Sequence, residues 1–188
     1  RSYDRAVCDP YYKTSIIKSR DYFQTVNTAS HELGHNLGAD HDGEGNANAC
    51  RADDRFIMAP DLQEPYITKP YSRNPWIFSN CSVKAFKDTL KDKMCLTNEG
   101  VIYDNGEWND IIGQMPGQIY SLNQQCEFIN GLGSSFCGTV SPDICHSMKC
   151  TDTKWNICLP DDFSAHRGTT CGDNKWCIEG LCVSRASK

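Results

Sequence analysis

The sequence predicts an α+β fold in two parts: a helix-bearing first half with a metal-site motif, and a small last third held by disulfides. Three observations predict it. Tyr22, Val26, Ala29, Leu33 and Leu37 fall at helical spacing, and so do Val83, Phe86, Leu90 and Met94. Four cysteines (Cys8, Cys50, Cys81, Cys95) spread over the first half, and eight (Cys126, Cys137, Cys145, Cys150, Cys158, Cys171, Cys177, Cys182) crowd the last third. The tail is short of aliphatic runs and rich in Gly, Asp and Cys, so it cannot build a large core and must be stapled covalently. The expected boundaries are residues 1–96 for the first unit, 97–115 for a spacer with one short helical or extended piece, and 116–188 for the cysteine-rich unit.

The first helix is expected over Tyr22 to Leu37, capped by Asp21 or Ser19. Gly38 is well placed to stop it, because glycine tolerates the left-handed conformation just past a helix end. Its apolar stripe is expected to face a core. The second helix is expected from about Ser82 to Lys93, with Val83, Phe86, Leu90 and Met94 buried and Lys84 and Asp88 paired on the wet side.

Composition narrows the class. Hydrophobic residues make up 39 % of the 188 residues and charged residues 23 %, a normal soluble balance. No apolar run approaches the roughly 20 residues of a membrane helix. Net charge is −5 and no basic stripe stands out, which speaks against a nucleic-acid partner. Twelve cysteines with no C-x-x-C knuckle indicate disulfides and an oxidising, extracellular setting rather than zinc-ribbon thiolates. The chain opens at Arg1, and the expectation is a processed or truncated product whose targeting segment lies upstream.

The chemistry is concentrated in His31-Glu32-Leu33-Gly34-His35-Asn36-Leu37-Gly38-Ala39-Asp40-His41, which fits H-E-x-x-H-x-x-G-x-x-H. His31 and His35 are four apart on a helix, so their imidazoles share one face and can reach one metal. Gly38 permits the turn that returns His41 as third ligand. Three protein ligands leave the fourth position of a zinc ion open, as catalysis requires. Glu32 points elsewhere from the two flanking ligands and can serve as general base toward a water. An amphipathic helix with incidental histidines would not put three of the chain's five histidines in register within eleven residues.

These eleven residues resemble the metzincins, and Asp42 directly after the third histidine resembles their adamalysin/reprolysin branch. Phe56-Ile57-Met58-Ala59-Pro60 resembles the family's Met-turn, which places Met58 beneath the zinc. The resemblance implies an α+β catalytic domain, a Zn²⁺ cofactor on His31, His35 and His41, Glu32 as catalytic base, and bridges Cys8–Cys95 and Cys50–Cys81. Asn98 resembles a calcium ligand of some family members; the competing reading is a surface-loop Asn. Tyr66, Tyr71, Trp76 and Phe78 would either line the pocket for the side chain after the cut or serve as core. In the family about half of the catalytic domain, with most of its sheet, precedes the position of Cys8. The chain is therefore expected to be an N-terminally truncated fragment, poorly active and prone to aggregate by itself.

Met115-Pro116-Gly117-x-Ile119-Tyr120 and the closing Cys171-Gly172-x-x-x-Trp176-Cys177-x-x-Gly180-x-Cys182 resemble the disintegrin-like, cysteine-rich module of ADAM-with-thrombospondin-motifs enzymes. That resemblance implies bridges Cys126–Cys150, Cys137–Cys158, Cys145–Cys177 and Cys171–Cys182, and an exosite role toward protein substrates. Spacing alone leaves 105 pairings open. No Arg-Gly-Asp occurs, and His146 and His166 read as surface histidines. Asn80-Cys81-Ser82 is formally a glycosylation sequon. The expected function is a secreted zinc metalloendopeptidase acting on extracellular proteins; the alternative is a non-enzymatic disintegrin-like binding protein or inactive fragment. The sequence does not fix the substrate or the oligomeric state.

Overall fold

A computed structural model describes residues 1–18, 22–60, 73–97, 113–160 and 163–185. The expected caps Ser19 and Asp21, the candidate pocket residues Tyr66 and Tyr71, the candidate calcium ligand Asn98 and most of the spacer lie outside the described residues. The chain divides into two compact units, one of residues 1–20, 24–63 and 74–105, the other of residues 21–23, 64–73 and 106–188.

The first unit is built on α1 (Tyr22–Asn36), from Gln24 onward, and α2 (Asn80–Leu90), joined by loops and short 3-10 turns. Helix α1 ends in a Schellman motif. Ala39 N–H donates to the Gly34 carbonyl at 3.0 Å, and Gly38 N–H to the His35 carbonyl at 2.9 Å. Gly38 has φ +109°, and a Cβ there would stand 2.0 Å from Thr89 Oγ1 on α2, so the position needs glycine twice over. Ser79 caps α2 by accepting from Ser82 N–H.

Both helices bury a different face from the one their apolar residues suggest. On α1, Val26 and Leu33 are 58 % and 51 % exposed, while His31, Gly34 and Asn36 are buried. The reason lies at Gly34. Met58 and Phe78 pack into the space a side chain would fill, so the face is buried through a residue that a hydrophobicity pattern does not register. On α2, Val83 is exposed, Ser82 and Ala85 are buried, and Met94 lies past the helix end in an exposed turn. Lys84 and Asp88 do stand on the exposed face.

The core of this unit is small. Ala39, Ile57, Met58 and Ala85 are buried, with Phe78 and Phe86 packed edge to face at 4.9 Å. Disulfides Cys8–Cys95 and Cys50–Cys81 close loops of 87 and 31 residues around it. Such bridges each contribute on the order of 2–4 kcal/mol, chiefly by restricting the unfolded chain.

The second unit carries α3 (Pro116–Ile119), α4 (Leu122–Asn130), a two-stranded antiparallel sheet of β1 (Lys149–Thr151) and β2 (Cys158–Pro160), and a three-stranded antiparallel sheet of β3 (Thr170–Gly172), β4 (Lys175–Ile178) and β5 (Leu181–Ser184). Helix α4 starts with a capping box between Ser121 and Gln124. The β4–β5 hairpin turns on Glu179 and Gly180, both at positive φ, the signature of a tight two-residue turn. Five of the eight buried core residues are half-cystines: Cys126, Cys145, Cys150, Cys171 and Cys177, beside Ile144, Met148 and Ala165. Sulfur thus does most of the packing that aliphatic side chains do elsewhere. The bridges are Cys126–Cys150, Cys137–Cys158, Cys145–Cys177 and Cys171–Cys182. Cys177 and Cys182 face each other across β4–β5, yet each is bonded to a different partner.

Candidate metal centre and active site

His31 and His35 project from one face of α1, and the turn at Gly38 brings His41 back beside them. The three Nε2 atoms form a nearly equilateral triangle with sides of 3.1, 3.2 and 3.2 Å. The orientation of each ring is set from behind. His31 Nδ1 lies 2.7 Å from the Ile57 carbonyl and His35 Nδ1 lies 2.9 Å from the Ala39 carbonyl. A carbonyl oxygen only accepts, so in both rings Nδ1 carries the proton, and Nε2 of the neutral ring is a bare lone pair. Burial pushes the His31 imidazole down to about 4, offset in part by the Ile57 hydrogen bond, so that ring is neutral at pH 7.

Two lone pairs aimed at one another across 3.1 Å repel. A cation on the axis of the triangle removes that cost. Tetrahedral ligation at roughly 2.0–2.1 Å from imidazole nitrogens requires nitrogens about 3.3 Å apart, and the triangle fits that spacing. The residues present therefore fit zinc. Three imidazole nitrogens are a donor set suited to zinc and leave a fourth position open.

The loop that carries His41 is tied at several points. Asp40 accepts from Asn46 N–H at 2.8 Å, and the Asn46 amide donates to the Gly38 carbonyl at 2.8 Å. Asp42 is buried, donates its N–H to the Met58 carbonyl at 2.9 Å, and accepts from the Ser79 hydroxyl at 2.6 Å. It so joins the His41 loop, the Met58 turn and the start of α2. Burial raises the Asp42 carboxyl, and the Ser79 hydrogen bond pulls the other way. Asp42 and the Phe78-Ser79-x-Cys81-Ser82 stretch are legible in the sequence as marks of the family resemblance, but nothing in either predicts the hydrogen bond between them. Met58 is fully buried in the turn closed by Ala59 N–H to the Phe56 carbonyl, and it packs against Gly34 of α1.

Glu32 lines the same cleft of about 500 Å³ as the three histidines, together with Asp40 and Glu44. Its side chain is 15 % exposed. A carboxylate in this position can accept a proton inside the cleft.

Residues 1–100 match the reprolysin (M12B) family of zinc metalloproteases. This chain belongs to that family. Residues 116–183 of this reprolysin match the ADAMTS cysteine-rich domain 2. It is 31 % identical over 192 residues to human "A disintegrin and metalloproteinase with thrombospondin motifs 20", covering 100 % of the chain and 9 % of the relative. To mouse "A disintegrin and metalloproteinase with thrombospondin motifs 7" the identity is 31 % over 186 residues, covering 97 % and 10 %. To the mouse protein of the same series numbered 18 it is 34 % over 175 residues, covering 92 % and 13 %. The chain thus spans about a tenth of the length of these relatives.

In the second unit, His146 is buried and His166 half-buried, so the expectation of surface histidines is corrected. Burial lowers the pKa of both rings. A unit whose core is mostly disulfide is small enough that loop residues such as these reach its interior. No helix among the described residues is long and apolar enough to cross a membrane.

Proposed function

We propose that this reprolysin is a secreted zinc metalloendopeptidase that hydrolyses peptide bonds of extracellular proteins. The observation that carries the reading is the Nε2 triangle, with two lone pairs locked inward by backbone carbonyls and Glu32 in the same cleft.

His31, His35 and His41 would hold zinc, which when bound supplies Lewis acidity for the scissile carbonyl and for the attacking water. The protein's own residues do the rest. Glu32 accepts the proton of the attacking water and passes it to the departing amine nitrogen, so one carboxylate serves as base and then as acid. Ile57 and Ala39 fix the ring tautomers through their carbonyls, which keeps Nε2 free of a proton. Met58 fills the floor beneath α1 and holds the turn that supplies the Ile57 carbonyl. Calcium at Asn98 stays a secondary proposal, resting on the resemblance alone.

The second unit is proposed to contact protein substrates. The β1–β2 hairpin supports this. Its tip exposes Trp155 at 66 % and Ile157 at 49 %, with Lys154 stacked 4.8 Å from the Trp155 ring. Asp152 accepts from the backbone N–H of Lys154 and Trp155, so the tip is held in one shape.

The deciding experiment is cleavage of an unfolded protein substrate before and after chelation. The reading predicts cleavage that a chelator abolishes and added zinc restores. A protein that binds zinc stoichiometrically yet cleaves nothing would favour the non-enzymatic binding reading instead.

A further inference from the structure

The three candidate ligands are not held alike. His31 and His35 each have Nδ1 on a backbone carbonyl, at 2.7 and 2.9 Å. For His41, no backbone carbonyl among the described residues takes Nδ1. The group that stands behind it is the Glu44 carboxylate, with Oε2 3.5 Å away.

The backbone explains why Glu44 is there. Glu44 is the N-cap of the 3-10 turn Gly45–Ala47, a position whose side chain ordinarily accepts from the turn's own N–H groups. Its side chain makes no such bond. The turn is tied by main chain instead: Glu44 N–H donates to the His41 carbonyl at 2.9 Å, and Gly43 N–H to the Ala47 carbonyl at 3.0 Å. Gly43 and Gly45 both have positive φ, and a Cβ at Gly45 would stand 2.0 Å from Asp40 Oδ2. This Gly-Glu-Gly turn leaves the carboxylate free and directs it at the imidazole.

We propose that Glu44 is the positioning residue of the third ligand. Its carboxylate, 3.5 Å from His41 Nδ1, is placed to take the proton of that nitrogen as an acceptor when the ring ligates, which favours the tautomer that leaves Nε2 bare and so sets the zinc affinity of the site. The inference rests on the zinc reading above. Outer-sphere carboxylates of this kind orient a ligating imidazole and raise its basicity, and their loss typically weakens metal binding about 10–100-fold. Asp4 does not do the same for His35. Its carboxylate is also 3.5 Å from Nδ1, but that nitrogen already donates to Ala39.

The test is zinc affinity, measured by competition with a chromophoric chelator on the intact protein, with the unfolding midpoint of the metal-free form as a second readout. Glu44 is 64 % exposed in its side chain and has extended backbone (φ −125°, ψ 162°), so substitutions there are compatible with folding. Glu44→Ala is expected to raise the zinc Kd about tenfold or more without moving the metal-free midpoint. Glu44→Lys, which puts a donor where an acceptor is needed, is expected to raise it further. Both variants within twofold of the parent would overturn the proposal. So would weakening in Glu44→Lys alone, which charge repulsion explains. A parent protein that binds no zinc would overturn the zinc reading, and this proposal with it.

Discussion

Met58 Sδ occupies the space that a side chain on Gly34 would need: a Cβ at Gly34 would stand 2.3 Å from that sulfur and 3.1 Å from the Phe78 ring. The glycine between the two helical ligands is therefore a packing requirement. Gly34→Ala is expected to destabilise the first unit by about 1–3 kcal/mol through overpacking, despite the better helix propensity of alanine. Denaturant unfolding of the metal-free protein checks this. An alanine variant as stable as the parent would show that Met58 does not sit against α1.

His31 makes stability depend on pH. Its folded value is about 4, below the 6.5 of a free imidazole, because burial disfavours the charged ring. The unfolded chain then binds the extra proton between those two values. The His31 contribution is complete above pH 6.5 and is lost as pH falls toward about 4, amounting to about 3 kcal/mol. Unfolding midpoints of the metal-free protein at pH 7.5 and pH 4 measure it. His31→Asn is expected to flatten the difference; an equal drop in that variant would assign it to other groups.

In the second unit, Gln125 is fully buried and acts as a polar hub. Its amide donates to the Tyr120 carbonyl and the Thr169 hydroxyl, and its oxygen accepts from His166 N–H at 2.9 Å. Gln125→Leu keeps the volume but leaves these partners unsatisfied. The expected cost is on the order of 2–4 kcal/mol, read as a lower unfolding temperature. An unchanged temperature would mean that water replaces the amide.

Glu32→Gln separates chemistry from metal binding. The variant is expected to hold zinc as the parent does and to lose at least about 10²-fold in turnover, because the amide cannot take the proton. Cleavage kinetics beside metal content test this. Retained turnover would remove Glu32 from the mechanism.

The site was more legible in the sequence than the packing around it. Ligand spacing on a helix is local, so His31, His35 and the stop at Gly38 can be read from eleven residues. Burial depends on what arrives from elsewhere. Val26 and Leu33 match a buried stripe, but Met58 and Phe78 approach a different face, through Gly34. The Ser79–Asp42 hydrogen bond spans 37 residues, and a serine carries no pattern that announces such a partner. The same holds for Gln125 and Thr169, whose hydrogen bond spans 44 residues. The sulfur-built core was foreseeable as a need, since the tail has too few aliphatic residues to do without it.

The central claim is that the three Nε2 atoms hold one zinc ion. X-ray absorption at the zinc edge, with stoichiometry from dialysis at pH 7.5, tests it most directly. The account predicts one zinc per chain, a first shell of nitrogen and oxygen with imidazole nitrogens at about 2.0–2.1 Å, and loss of that zinc in His35→Ala and His41→Ala. A chain that stays metal-free, or one whose zinc survives both substitutions, would contradict it.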